Sequence, residues 1–375
     1  LLCGGPGAIF WMWLTGVFGI ATKYSETYIS MKYRVKDANG RMLGGAMYAL
    51  ERGFKHKGLG KLLAVLFALF TAIASFGIGA SVQSNSLAGA LTSSSLIPGA
   101  SEIPTWLIGI VVTVLVAIVI IGGLKKVSKV CEKLVPVMAI FYVACCLVII
   151  GMNGAYLWDA IVTIITCAFT GQAAFGGAVG SGIMLALQYG FKRGLFSNES
   201  GLGSAPIAAA AARTSQPVVQ ALISMTQTFI DTLVVCSMTG LVILVTGVWT
   251  SGKNGAPLTS YAFETGLPGE LGGLIVTIGI ILFAYSTILG WSYYGEKAIE
   301  YLLGSKAIVP YRWAFIISVG LGSSMKLDLV WVLSDIFNAL MAFPNLIGLI
   351  MLTPVVKAET MAYLRSLRQG SSSES

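Results

Sequence analysis

Charge is scarce in this sequence. Asp, Glu, Lys and Arg together make up 11% of its 375 residues, whereas a soluble domain carries roughly 25%. So few charges cannot cover the surface of a soluble protein of this size. Histidine is almost missing: the single His56 lies in a basic, Gly-containing stretch, 52–61. A Ser-His-Asp triad or a His-ligated metal therefore has no raw material. No G-x-x-x-x-G-K-[ST] phosphate loop is present. The six cysteines, Cys3, Cys131, Cys145, Cys146, Cys167 and Cys236, have no metal-ligand spacing and read as small apolar side chains. The common enzyme constellations are excluded, and no organic cofactor is expected.

What is abundant is uncharged length. Residues 1–22, 62–101, 103–124, 134–158, 160–191, 232–252, 271–295 and 336–356 contain no charged side chain. A bilayer-crossing helix needs about 20 mostly apolar residues. The apolar segments fall at 5–22, 62–90, 105–123, 134–152, 172–191, 218–247, 272–295, 310–323 and a long 329–356. A shorter apolar helix, 157–170, precedes the fifth. This predicts an all-α polytopic membrane protein with about nine spans, counting 329–356 as one broken crossing. Residues 1–360 form one transmembrane domain, and 361–375 a polar tail.

The net charge of +8 has a topological explanation. Of the 24 Lys and Arg residues, 22 fall in every second connection, the stretch from Lys23 to Lys61 holding nine of them. Basic residues favour the cytoplasmic side. The chain thus starts outside and ends with its C-terminus in the cytoplasm, and nucleic acid is not an expected partner. The first residue is not Met, and the chain opens inside an apolar stretch with no charged leader. Four segments before the fifth and five from it onward are one short of two five-helix repeats, so an N-terminal helix is expected to be missing.

Candidate site residues lie where glycine and polar residues interrupt the apolar runs. Segment 169–182 has five glycines between Gly171 and Gly182, with Gln172, Phe175, Gly176, Gly177 and Ala178 at its centre. Such a stretch is suited to unwind, presenting N–H groups to an anion and carbonyls to a cation. Ser75 to Asn85 carries Gln83 and Asn85, polar for a span. Ser286 and Thr287 are adjacent hydroxyls in an apolar run, either bonded to their own helix or offering oxygen to Na⁺. Asp231 and Asp335 are intramembrane carboxylates, each an ion or proton site or the partner of a polar neighbour. Pro206 suits the first turn of a short helix capped by Ser204.

Several long stretches resemble one family. Gly4-Gly-Pro-Gly-Ala-Ile-Phe-Trp-Met-Trp-Leu-Thr-Gly-Val-Phe-Gly-Ile-Ala-Thr-Lys-Tyr-Ser-Glu26 is similar to the signature of the alanine or glycine:cation symporters. Asn198-Glu-Ser-Gly-Leu-Gly-Ser-Ala-Pro-Ile207, Phe283-Ala-Tyr-Ser-Thr-Ile-Leu-Gly-Trp-Ser-Tyr-Tyr-Gly295 and Pro344-Asn-Leu346 follow in the family's order. The resemblance runs from residue 1 to about 360. It implies a LeuT-type fold of two inverted five-helix repeats in a bacterial or archaeal inner membrane. It implies uptake of alanine or glycine, sometimes D-alanine, driven by Na⁺ or in some members by H⁺. Carried over, it places substrate against the Gly171–Gly182 segment, Na⁺ at Ser286 and Thr287, and Trp331 in a helix that closes over the substrate from outside. The missing helices would carry about half of that site. An ion-independent facilitator is the alternative reading.

Overall fold

A computed structural model of the chain describes residues 1, 3–37, 40–92, 99–170, 179–268 and 271–372. Helices dominate because apolar side chains in lipid leave the backbone no hydrogen-bond partner but itself. In chain order they are α1 (Gly7–Lys32), α2 (Ala46–Gly53), α3 (Lys57–Thr92), α4 (Thr105–Ile120), α5 (Leu124–Met152), α6 (Leu157–Thr170), α7 (Val179–Asn198) and α8 (Ala205–Ala209). After these come α9 (Pro217–Val245), α10 (Ala256–Gly266), α11 (Leu271–Leu303), α12 (Ile308–Gly322) and α13 (Leu327–Ser372). Among the described residues the only strands are β1 (Val35–Lys36) and β2 (Met42–Leu43), an antiparallel pair between α1 and α2.

Among the described residues five helices, α3, α5, α9, α11 and α13, are long and apolar enough to cross a membrane. Their outward faces are apolar too. On α4 the outward row is Ile110, Val111, Val114, Leu115 and Ile118, and on α5 Val137 and Ile140 stand clear of the protein. Water would penalise so continuous an apolar surface, and lipid does not. The predicted break in the last segment is absent: α13 continues as a single helix through Pro344 and Pro354. At 1.5 Å per residue it is about 70 Å long, so it extends well past a bilayer. Its far end is tied to α1 by Tyr24 and Thr360 hydroxyls 2.7 Å apart, and by Tyr28 and Lys32 on Glu359.

Two long helices carry a π-helical insert, Ser75–Val82 in α3 and Phe229–Cys236 in α9. Such inserts widen the helix by shifting its bonds from i−4 to i−5, and they mark functional positions more often than chance. Buried clusters lock the bundle on either side of α11. One joins α2, α3, α11 and α13 around Trp291, Phe67 and Met47. Another joins α3, α4, α11 and α12 around Phe315 and Ile288. α1 lies lengthwise against α7 and α9, and it also meets α6 closely at Gly7, where a Cβ would come within 2.6 Å of the Cys167 and Ala168 backbone.

A buried charge cluster and the predicted substrate segment

The Gly-rich segment 171–178, with Gln172, Phe175, Gly176, Gly177 and Ala178, lies outside the described residues. Its flanks are in place: α6 ends at Thr170 and α7 begins at Val179. On α7, Lys192 and Arg193 both reach Asp335 of α13, at 2.5 and 3.4 Å. Asp335 is thus paired with basic neighbours. The Arg193 guanidinium also stacks on Trp331, 4.0 Å from the ring centroid, and Phe196 meets the same indole at 4.9 Å. One Arg193 nitrogen, Nη1, has no hydrogen-bond partner among the described residues. Trp331 and Asp335 are therefore brought together against α7, with Lys192 and Arg193.

The other predicted residues lie elsewhere. Gln83 closes the π insert of α3, its amide donating to the Ile78 carbonyl at 3.2 Å. Asn85 donates to the Gly322 and Met325 carbonyls, at 3.2 and 2.6 Å, and so secures the end of α12. Ser286 and Thr287 both donate to the carbonyl of Phe283, at 2.9 and 2.8 Å. None of the predicted residues that are described lines either of two cavities. One, of about 340 Å³, is bordered by Asp159, Tyr156 and Trp249. The other, of about 140 Å³, lies between the π insert of α3 and the start of α13, bordered by Phe76, Ser81 and Phe337.

A second polar cluster lies buried among the described residues. Lys23 and Glu26, three residues apart on α1, are buried to 0% and 1% exposure. Glu26 Oε1 accepts hydrogen bonds from Asn345 Nδ2 at 2.6 Å and from the Gly203 N–H at 3.1 Å. Asn345 Nδ2 also donates to the Gly201 carbonyl at 3.0 Å. The turn between α7 and α8 is shaped for this. Glu199, Gly201 and Gly203 have φ of 56, 91 and 75°, the left-handed region that a glutamate rarely adopts. Ser204 does not cap α8, as had been expected; its hydroxyl donates to Glu199 Oε2 at 2.6 Å. The buried Trp291 indole nitrogen has no hydrogen-bond partner among the described residues. Asp231, on the π insert of α9, accepts from Ser197 at 2.7 Å and Thr232 at 3.1 Å. Ser200 and Thr228 hydroxyls lie 2.9 Å apart, and Asn198 donates to Thr232 at 3.1 Å.

Three stretches distant in sequence, around 23–26, 198–204 and 345, thus meet at one place. The signal was available: Lys23 and Glu26 continue the helical run from Gly7, and a charge pair at that spacing shares one helix face. Reading both as connection residues hid it.

The likeness to known proteins runs along the whole chain. The sodium:alanine symporter family matches residues 1–375. The sodium/alanine symporter AgcS of Methanococcus maripaludis is 51% identical over 364 residues, covering 96% of this chain and 78% of the relative. An uncharacterized transporter of Haemophilus influenzae is also 51% identical, over 97% of this chain and 78% of its own length. The probable sodium/glutamine symporter GlnT of Bacillus subtilis is 36% identical, over 98% and 74%. With a family match along its whole length and relatives this similar, the chain, a multi-pass membrane protein, belongs to the sodium:alanine symporter family.

Proposed function

We propose that the protein is a secondary active symporter that couples Na⁺ entry to uptake of small neutral amino acids, alanine or glycine, by alternating access. The observation that carries this reading is the family match along all 375 residues. Identity favours alanine over a larger substrate: the alanine symporter AgcS is 51% identical and the probable glutamine symporter GlnT 36%. A LeuT-type fold of inverted repeats is supported by element order. α1, α3, α4 and α5 have the short α2 between the first two, and α9, α11, α12 and α13 have α10 at the same place.

In this reading the substrate binds at the segment of Gln172, Phe175, Gly176, Gly177 and Ala178, which links α6 to α7 in the chain, while Trp331, seated on Arg193 and Phe196 towards the other end of α7, and Gln83 act further along its path. Backbone N–H groups at the start of α7 receive the carboxylate, because an N-terminal helix end carries partial positive charge. Glycine and aromatic walls exclude long side chains. Na⁺ takes the Ser286 and Thr287 oxygens. Both hydroxyl protons point to their own helix, which turns lone pairs outward, and hard cations select oxygen. Asp335 serves as the ion-pair partner of Lys192 and Arg193, whereas Asp231 belongs to the buried charge cluster. The side bearing most basic residues faces the cytoplasm.

Labelled alanine uptake into proteoliposomes, with and without an inward Na⁺ gradient, tests the reading. Uphill, Na⁺-dependent accumulation is expected. Uptake that only equilibrates, whatever the gradient, identifies a facilitator instead.

A further inference from the structure

Four departures from a satisfied structure meet at the inner half of α1. Lys23 is fully buried, yet its Nζ has no hydrogen-bond partner among the described residues. Glu26 uses Oε1 twice and leaves the buried Oε2 with none. Glu199 holds a left-handed backbone. Asp231 stands on a π insert. A buried, unpaired ammonium is among the most costly arrangements a protein can hold, and a strained glutamate adds to the cost. Such costs gather where a site must have two states, because a fully satisfied ion pair has no reason to change partner.

The charges around Lys23 come from three elements. Glu26 is on its own helix, Glu199 is in the turn after α7, and Asp231 is on α9. Tyr294 of α11 and Cys236 of α9 are the neighbouring weak acids. One ammonium therefore faces three carboxylates and contacts none. Glu26 is held by Asn345 and the Gly203 N–H, so it is fixed. Glu199 and Asp231 accept hydrogen bonds only from hydroxyls, those of Ser204, Ser197 and Thr232. A lysine stem is long and flexible and carries a point charge, so it can serve either.

We propose that Lys23 is the movable charge of a gate at the basic end of the bundle: it passes between Glu199, after α7, and Asp231, on α9, and so selects which of these elements is clamped to α1. The inference rests on the transport reading above. Lys23 is a positioning residue, which acts on the path of the substrate through the helices it holds. Without it three carboxylates face one another unbalanced, and the end of the bundle spreads.

The protein carries its own reporter. Cys236 Sγ lies 3.2 Å from Ser197 Oγ, inside the cluster and half-buried. With the other five cysteines replaced by serine, its modification by an impermeant thiosulfonate added from the basic side is timed, with and without Na⁺ plus alanine. Losing one partner of a buried charge group shifts a two-state balance by well over tenfold. In Lys23→Met, Cys236 should therefore react at least about tenfold faster and ignore Na⁺ plus alanine. Lys23→Arg, and the double variant Lys23→Met with Glu199→Gln, should recover most of the difference. An unchanged rate in folded Lys23→Met, or a rise that neither variant reverses, overturns the proposal. If Lys23→Met does not fold, Glu199→Gln alone decides: Lys23 then stays with Asp231 and Cys236 protection should lose its response to Na⁺, and a wild-type response is contradictory. Wild-type alanine uptake in the same vesicles reports on the transport reading separately.

Discussion

One branched side chain tests the proposed substrate segment. Gly177→Val places a branched side chain where the proposed ligand meets backbone. Alanine uptake should be lost while the amount of protein in the membrane is unchanged; unchanged uptake would remove the segment from the site. At the basic end Glu51 offers a titratable test. Burial pushes its carboxyl up, but hydrogen bonds from Lys61 at 2.6 Å and Tyr301 at 2.7 Å more than offset this and hold it below its ordinary value. A depressed carboxyl adds stability above its unfolded value and loses it as pH falls through the folded one. Thermal stability in detergent should therefore fall with acidification below the ordinary carboxylate range, and Glu51→Gln should flatten that part of the profile. Intramembrane carboxylates were legible at this scale, since Asp231 and Asp335 stand out in apolar runs. Their partners were not, because an ion pair between α7 and α13 leaves no local spacing to read.

At the scale of elements, two contacts decide how the helices sit. The π insert of α3 approaches α11 at Gly79, where an added Cβ would overlap Trp291. Gly79→Val should lower stability by about 1–3 kcal/mol, the usual cost of overpacking, measured as a fall in Tm. Asn345 joins α13 to Glu26 and Gly201. Asn345→Ala leaves Glu26 short of a buried partner, at a cost of about 1–3 kcal/mol, and loosens α13 from α1 in the same assay. Segment positions were readable to within a few residues for α9, but α5 begins ten residues before its segment 134–152. Helix ends were less so: α1 and α11 run about eight to ten residues past their apolar segments, since partners inside the protein accept charged residues that lipid would not. The π inserts had no composition of their own to announce them.

For the whole molecule, the account joins an apolar bundle, a family shared with sodium-dependent carriers, and a proposed site between α6 and α7. Fold class was plain in the sequence, because 11% charge and repeated uncharged runs admit little else. Family was plain from motifs such as Asn198 to Ile207. The reason those motifs are charged emerges only in three dimensions, where Lys23, Glu26, Glu199 and Asn345 converge. In the proposed reading, coupling is a property of the entire bundle, since ion and substrate would share one cycle of opening.

The central claim is best met by one flux experiment. The protein is reconstituted into vesicles, an inward Na⁺ gradient is imposed, and internal labelled alanine is followed against its own gradient. The account predicts accumulation above the external concentration that collapses when Na⁺ is equalised. Internal alanine that rises only to the external level, with or without the gradient, would contradict it.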